Sequence, residues 1–414
     1  MYGTHHSHRG LGPIASVCLV TIFSLPLLAA EKPVVRWTAD DAPDFRYQFI
    51  EKMKITELKH ATPENGKFNH HPYLAVHQKI MFACWDTQAR DENISGQHGV
   101  FCRSTDRGET WSRAEVLFPS LSANVPASET TEPGWFQTSQ GFIETDGRFY
   151  ALTIVDQSLK EKVHRYNEVS RRRIGWLARE VQADGTPGKI FWLTDDAPEP
   201  IRGFPAFPAG DNQLVAKINE HLRQPAHLPQ LFFGPRAHPD SDDGHRMTEP
   251  SPTWRLDTGA WVRLYRDAGG IHAKSKREVE ESKSRRNYAA FSFNDGKTWT
   301  TPTRTTFPDA CARSNAGRLP DGRYYVINNV LPMSPKKGGR ALLAVSLSDD
   351  GLEFNQTTVL RFVAPPRRYE GKAKGLGYAY PHSVVFGKYL WVIYSVNKED
   401  IEVARVPLAQ FKAR

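Results

Sequence analysis

Apolar and polar positions alternate along this chain in short runs, and each run ends at a cluster of turn residues. Gly99–Ser104 (GVFCRS), Tyr288–Phe293 (YAAFSF) and Ala341–Leu347 (ALLAVSL) have this form. So do Ala379–Phe386 (AYPHSVVF), Leu390–Ser395 (LWVIYS) and Ile401–Leu408 (IEVARVPL). Patterned helix is scarce. The chain holds 30 Gly and 29 Pro, and that much punctuation between short runs predicts many β-strands joined by turns. Three of the turns are copies of one another. Ser104-Thr-Asp-Arg-Gly-Glu-Thr-Trp111 recurs as Ser292-Phe-Asn-Asp-Gly-Lys-Thr-Trp299, and more loosely as Leu347-Ser-Asp-Asp-Gly-Leu-Glu-Phe354. In each, an Asp or Asn bonds backbone amides, a Gly takes positive φ, and an aromatic tucks beneath the turn. Asp106, Asn294 and Asp349 are therefore read as structural. A repeated hairpin implies a radial or stacked fold.

The copies start at residues 104, 292 and 347. At about 45 to 55 residues per four-stranded blade, the first interval holds three or four blades. The runs after the third copy make a last blade, closed by a strand from the N-terminal region. Residues 156–250 read as long loops on one face. No linker marks a second domain.

The first thirty residues have the form of a secretory signal. Arg9 and several His precede the apolar run Pro13–Leu28, and Leu28-Ala-Ala30 precedes Glu31. The run is too short for a comfortable span of about 20 residues. The expected mature chain is 31–414, a single domain, exported to the periplasm or beyond, with no integral membrane segment. Cys84, Cys102 and Cys311 remain outside the signal. An odd number excludes a full disulfide framework, and small buried side chains are the reading preferred over a Cys84–Cys102 pair. The net charge is +8 and the pI about 9.2, which suits an acidic polysaccharide better than nucleic acid, for which no binding module is present. The run Lys274–Arg286 alternates in sign and reads as a solvated loop or short helix. No metal-ligand spacing of a strong kind occurs, so no metal or cofactor is expected; Asp240–Gly244 is too short to count as a calcium loop.

The repeated octapeptide resembles the Asp box of sialidases and related BNR-repeat propellers. The resemblance implies an all-β propeller with four-stranded antiparallel blades, six blades being expected and seven also compatible with the spacing. Further positions resemble the sialidase site. Thr248-Glu-Pro-Ser and Arg266-Asp267 are similar to the strand pair carrying a buried Glu and an Arg, which implies Glu249 and Arg266. Arg340 sits where a substrate-carboxylate Arg is found. Tyr380 sits where the nucleophile is found. The implied chemistry uses Tyr380 as nucleophile and Glu249 as its base, because a Tyr is weak at its free pKa of about 10. Arg266 and Arg340 would clamp a sugar carboxylate.

Two departures alter that picture. The family's first Arg is replaced in Phe68-Asn-His-His-Pro72 by His70 or His71. Its catalytic Asp has no clear match, Asp91 or Glu92 being the candidates. His71 and Asp91 are accordingly expected in catalysis. His70, His98, Arg313 and His382 join Arg266 and Arg340 as expected substrate contacts. The His-His-Pro opening is also similar to propeller polysaccharide lyases and rhamnosidases acting on uronate-containing glycans, where a His or Tyr removes a proton. The expected function is a sialidase-like exo-glycosidase acting on an acidic glycan. A uronate-directed lyase or rhamnosidase, or a glycan-binding propeller without activity, are the alternatives.

Overall fold

A computed structural model describes residues 33–41, 46–121, 134–158, 171–182, 184–194, 206–230, 239–334 and 337–411. The signal-like segment lies outside them. Among the described residues no helix is long and apolar enough to cross a membrane.

Five antiparallel blades are present among the described residues. Blade I comprises Phe68–His77, Ile80–Gln88, His98–Ser104 and Glu115–Phe118. Blade II comprises Trp135–Thr145, Arg148–Ser158, Arg171–Val181 and Pro187–Trp192. Blade III is built on His245–Thr248, Trp261–Gly270, Arg286–Ser292 and Thr303–Pro308, with Trp254–Arg255 added to its second strand. Blade IV runs through Asn315–Arg318, Tyr324–Asn328, Leu342–Ser348 and Gln356–Phe362, and Gln48–Phe49 joins its outer edge in parallel. Blade V holds Tyr378–Phe386, Tyr389–Val396 and Asp400–Pro407, and the N-terminal strand Lys54–Lys59 closes it. That closure ties the two ends of the domain together, as the sequence predicted. Short edges and apolar faces packed between neighbours meet the requirement that an antiparallel sheet bury its faces and protect its edges.

The blade count differs from the six or seven expected. Between blades II and III the described residues form no four-stranded sheet. They form the helix α1 (Asn212–Arg223), which the pattern of short apolar runs did not announce. Asp211 caps it by accepting from the amides of Gln213 and Leu214. Val215, Ile218 and Leu222 recur at helical spacing and pack on Tyr150, Leu152, Ile154 and Phe191 of blade II. The turn that follows binds blade III: Thr253 Oγ1 donates to the Pro225 carbonyl, and Arg263 Nη2 donates to those of Leu228 and Pro229. A helix and a turn thus bridge two blades.

All three repeated turns join the third and fourth strands of their blades. In the first, Ser104 Oγ donates to Asp106 at 2.8 Å and accepts from the Gly108 amide at 2.7 Å, and the Thr110 amide donates to Asp106 at 2.9 Å. The second repeats this through Ser292, Asn294, Gly296 and Thr298. The third is one residue shorter, and Asp350, not Asp349, accepts from Ser348 and from the amides of Leu352 and Glu353. A similar turn unites Ser241, Asp243 and the His245 amide in the segment whose composition suggested calcium. Phe354 is fully buried under its turn, whereas Trp111 and Trp299 are half-buried, each packed on a core cluster.

The glycine of each box makes a close approach to what precedes its blade. A Cβ on Gly108 would clash with the Trp391 ring of blade V. One on Gly351 would lie 2.8 Å from Leu256 of blade III, and one on Gly296 would clash with Pro225 in the bridging turn. The box is therefore a seam between neighbours, and the turn at Pro225 takes the place that a blade takes elsewhere. The short helix α2 (Lys276–Ser282) forms most of the expected charged run, capped by Ser275. Cys84, Cys102 and Cys311 are free and buried. Cys102 pairs in register with Ala83, which sends Cys84 and Cys102 to different clusters on opposite faces of the sheet.

Gly108 and Gly147 separate clash from strain. Both have positive φ, but a methyl group placed on Gly147 would meet nothing within 4 Å. Gly147→Ala should cost about 1 kcal/mol, the penalty of a left-handed Ala. Gly108→Ala should cost a further 1–3 kcal/mol, roughly, from overpacking against Trp391. Urea denaturation of the two variants measures the difference, and equal losses would show that Trp391 does not constrain the turn.

Candidate active site

The inner strands of blades I and V break register at matching places. The pairing shifts between His70 and Tyr73 and between Ala379 and His382. Within these bulges His71 has φ 52 and Tyr380 has φ 57. Blade III ends its inner strand at Thr248, and Glu249 follows with φ 43. Blade II has a corresponding shift at Gly141, with φ 78. Each of the three non-glycine residues precedes a proline: His71-Pro72, Glu249-Pro250 and Tyr380-Pro381. A proline has no amide for the ladder and sits where pairing is interrupted. The bulge then re-aims the side chain before it. Left-handed non-glycine residues cost on the order of 1–3 kcal/mol each and gather at functional sites.

These bulges bring Tyr380 and Glu249 together. Tyr380 Oη donates to Glu249 Oε1 at 2.5 Å. Arg266 Nη1 donates to Tyr380 Oη at 2.9 Å and also to Glu249 Oε2. Arg266 stands opposite Thr248 on the next strand of blade III, which places it beside Glu249. Two more guanidiniums face the tyrosine ring, Arg313 at 4.8 Å and Arg340 at 5.7 Å from its centroid. Arg313 is fully buried and its Nη1 donates to Tyr73 Oη at 2.7 Å. Arg340 donates to the Cys311 carbonyl at 3.3 Å, and its buried Nε has no hydrogen-bond partner.

The other side of Tyr380 is covered by imidazoles. The rings of His70 and His71 lie 4.1 and 5.2 Å from it. His70 Nδ1 is 2.7 Å from Ser395 Oγ, and its Nε2 is buried without a partner. His71 Nδ1 is 2.9 Å from Asp86, and its Nε2 is 3.5 Å from Glu92. Lys398 pairs with Glu92 and lies 6.0 Å from the centroid of the Tyr380 ring. Asp86 and Lys398 were not expected from the sequence.

Three expected contacts lie elsewhere. The Asp91 carboxylate accepts from the amides of Lys372 at 2.6 Å and Ala373 at 3.2 Å and so anchors a loop, whereas Glu92, the other candidate, lies beside His71. His98 bonds the Gly96 carbonyl at 2.9 Å and lines a separate cleft with Lys59, Thr87 and Ser120. His382 accepts from the Leu74 amide through Nδ1 and stacks near Tyr73, which makes it a strut between blades V and I. Burial, with Arg313 adding to it, pushes its pKa down to about 3.

Charge is distributed unevenly over the site. Burial would raise the Glu249 carboxyl, but Arg266 and the hydrogen bond from Tyr380 outweigh it and bring the pKa down to about 2. Burial likewise opposes Glu92, and Lys398 overcomes it, leaving the carboxyl below its ordinary value. Burial holds His70 well below the usual imidazole range, and Lys398 and His71 add to the effect. Burial also lowers Arg340, and repulsion from Arg266 assists. Asp309 behaves in the opposite way: burial lifts it to about 7 despite Arg266. His70, His71 and Glu92 offer ligand atoms within 4.8 Å of one another, a grouping able to hold a metal ion.

Asp309 sets a testable pH dependence. Its folded pKa exceeds the unfolded value of about 3.9, so folding favours the protonated form. That contribution is complete below about pH 4 and is lost as the pH rises through about 7. Asp309→Asn should match the parent near pH 4 and become the more stable protein by pH 8, by on the order of 2–4 kcal/mol. Paired urea titrations across that range check it; a constant difference would contradict the assignment.

Comparison with known proteins agrees with the fold. Residues 262–392 match the family described as BNR repeat-like domain, and residues 48–243 match one described as BT_1020-like, N-terminal beta propeller. No curated protein matches the chain in sequence. Among solved structures, a protein titled Sialidase is 21% identical with a TM-score of 0.67, over 91% of this chain and 35% of that one. A mutant of Trypanosoma rangeli sialidase displaying trans-sialidase activity is 11% identical with a TM-score of 0.53, over 88% of this chain and 60% of that one. A protein of unknown function from Dyadobacter fermentans is 12% identical with a TM-score of 0.50, over 86% of this chain and all of that one. The chain thus spans about a third of the length of the first sialidase and three-fifths of the second. The two family models and the solved structures thus agree on a β-propeller fold with BNR-like repeats.

Proposed function

We propose that this protein is a retaining exo-glycosidase that removes an acidic sugar from a glycan. The contact of Tyr380 with Glu249 at 2.5 Å, under the Arg266 guanidinium, carries the reading. A tyrosine attacking the anomeric carbon must lose its proton, and Glu249 is in position to take it. A neutral nucleophile also suits an anionic sugar, since a carboxylate in its place would repel the carboxylate of the substrate.

The charge balance points to an anionic substrate. Arg266, Arg340, Arg313 and Lys398 surround Tyr380, against the ionised Glu249 and Glu92. Burial keeps Asp309 protonated up to about neutrality, and Asp86 is engaged by His71 and Ser139. The surplus is positive, and Arg340 has a buried N–H group to offer. A planar carboxylate matches a guanidinium in a bidentate fashion. The solved sialidases that share the fold are consistent with this substrate class. A lyase reading is favoured by one observation, the packing of His70 and His71 on Tyr380. It differs in product, an unsaturated uronate. We further propose action outside the cytoplasm, on the strength of the apolar run Pro13–Leu28.

A screen of sialosides, uronate polysaccharides and rhamnosyl-uronates, read by reducing ends and by ultraviolet absorbance, should give reducing ends without an absorbing product. Tyr380→Phe should lose turnover by about 10³-fold or more while substrate still binds. Full activity in both Tyr380→Phe and Glu249→Gln would rule out the site. Binding without turnover would make the protein a lectin-like propeller. Protein recovered from intact cells should begin near Glu31, and a cytoplasmic chain that retains Met1 would refute export.

A further inference from the structure

The reaction proposed above needs a group to protonate the departing oxygen. Asp91, expected in catalysis, is engaged by the backbone amides of Lys372 and Ala373. His71 has the geometry for the task. Its Nδ1 faces Asp86 Oδ2 at 2.9 Å. Asp86 already accepts from the Ser139 amide at 2.9 Å and from Ser139 Oγ at 2.6 Å. Burial raises the Asp86 carboxyl while His71 and Ser139 oppose it, and in its ionised form it only accepts, so the hydrogen of that contact then belongs to His71 Nδ1. Nε2 is then the nitrogen that exchanges protons. It faces Glu92 Oε1 at 3.5 Å, where a bare lone pair would meet a carboxylate oxygen and a proton would relieve the repulsion. Lys398 fixes the other Glu92 oxygen.

His70 lacks these features. The Ser395 hydroxyl donates to the Ala379 carbonyl at 3.3 Å, so it accepts from His70 Nδ1. Among the described residues no carboxylate touches His70, and its Nε2 is unpartnered. A metal ion between His70, His71 and Glu92 is the competing use of the same atoms. Charge opposes it. Lys398 is bound to Glu92, and Arg313 and Arg340 flank the adjoining tyrosine. A dication there would face three cations, whereas one proton on His71 balances the pair of carboxylates on either side together with Lys398.

We infer that His71 is the acid–base catalyst of this glycosidase, with Asp86 and Glu92 as its positioning residues. The inference rests on the reading of Tyr380 and Glu249 given above. In the first step Tyr380 Oη bonds to the anomeric carbon and its proton passes to Glu249. The glycosidic C–O bond breaks, and the departing oxygen takes the proton from His71 Nε2. In the second step water attacks the anomeric carbon and gives its proton to His71 Nε2. The C–O bond to Tyr380 breaks, and Glu249 returns the proton to Tyr380. The groups facing His71 are Asp86, Glu92 and His70 from its own blade, Glu249 from blade III and Tyr380 from blade V.

Side-chain nitrogen NMR of the whole chain tests this without any substrate. His71 should carry its proton on Nδ1 when neutral, with a far-downfield Nδ1–H resonance that disappears in Asp86→Asn. The opposite tautomer, or a His71 that stays neutral throughout the pH range of the folded protein, would overturn the inference. Kinetics on the glycoside found in the screen supply a second test. His71→Ala should slow an alkyl glycoside by about 10²–10⁴. It should slow the corresponding glycosyl fluoride, whose leaving group needs no proton, by less than about tenfold. Equal losses on both would mean a structural role. Asp86→Asn should slow the alkyl glycoside more than the glycosyl fluoride, because the imidazole loses the acceptor that fixes its tautomer. Activity abolished by a chelator and restored by zinc or manganese would assign the cluster to a metal instead. Tyr380→Phe separates the two ideas: if it keeps full activity, the nucleophile reading fails whatever His71 does.

Discussion

The left-handed residue before a proline governs this site. A propeller brings the inner strands of its blades toward a common axis, but a regular strand sends alternate side chains to its two faces. The bulges in blades I and V, and the turn after Thr248 in blade III, break that alternation. His71, Glu249 and Tyr380 all hold φ between 43 and 57 there. The prolines that follow remove the amides that a regular ladder would require. The strain is tolerated because the surrounding blades fix both sides of each bulge. Blade V, for instance, pairs Tyr378 with Val396 above the bulge and His382 with Ile393 below it.

Once these side chains point inward, burial dictates the rest. An isolated buried charge is costly, and a paired one with satisfied hydrogen bonds is tolerated. Glu249 is matched by Arg266, Glu92 by Lys398, and Asp86 by His71 and Ser139. Among the described residues no carboxylate pairs with Arg313, which lies against the rings of Tyr73 and Tyr380 instead. The pairs join different blades: Glu92 follows blade I and Lys398 belongs to a turn of blade V, while Asp86 of blade I meets Ser139 of blade II. Site electrostatics and blade assembly are in this sense one problem.

Local features are legible in the sequence and long-range ones are not. The boxes at Ser104 and Ser292 can be read because every bond in them spans four residues or fewer. The third misleads by one place, since Ser348 and Gly351 are three residues apart where the others are four, and so Asp350 takes the role expected of Asp349. The helix at Asn212 has its signals in plain view, an Asp cap and apolar residues at helical spacing, but the β-rich character of the whole masks them. Tyr380, Glu249 and Arg266 are legible through resemblance, and the proline that follows both Tyr380 and Glu249 is a further local signal. Asp86 and Lys398 leave no trace, because a lone Asp in a strand and a lone Lys in a turn gain meaning only from partners on other strands and blades. Asp91 and Glu92 are neighbours, and no rule of spacing tells which one turns inward.

The replacement of an expected arginine by histidine is better understood with these contacts in view. A guanidinium is permanently charged and could only hold substrate at that position. An imidazole whose Nδ1 faces Asp86 leaves its other nitrogen able to give or take a proton. The surplus of positive charge survives the exchange, because Arg266, Arg340, Arg313 and Lys398 remain around Tyr380. The site therefore stays rich in positive charge, with an imidazole 5.2 Å from the tyrosine ring. A binding module would gain nothing from that trade, since a neutral imidazole attracts a carboxylate less than an arginine does. On the reading proposed above, the substitution serves a step in which a proton moves.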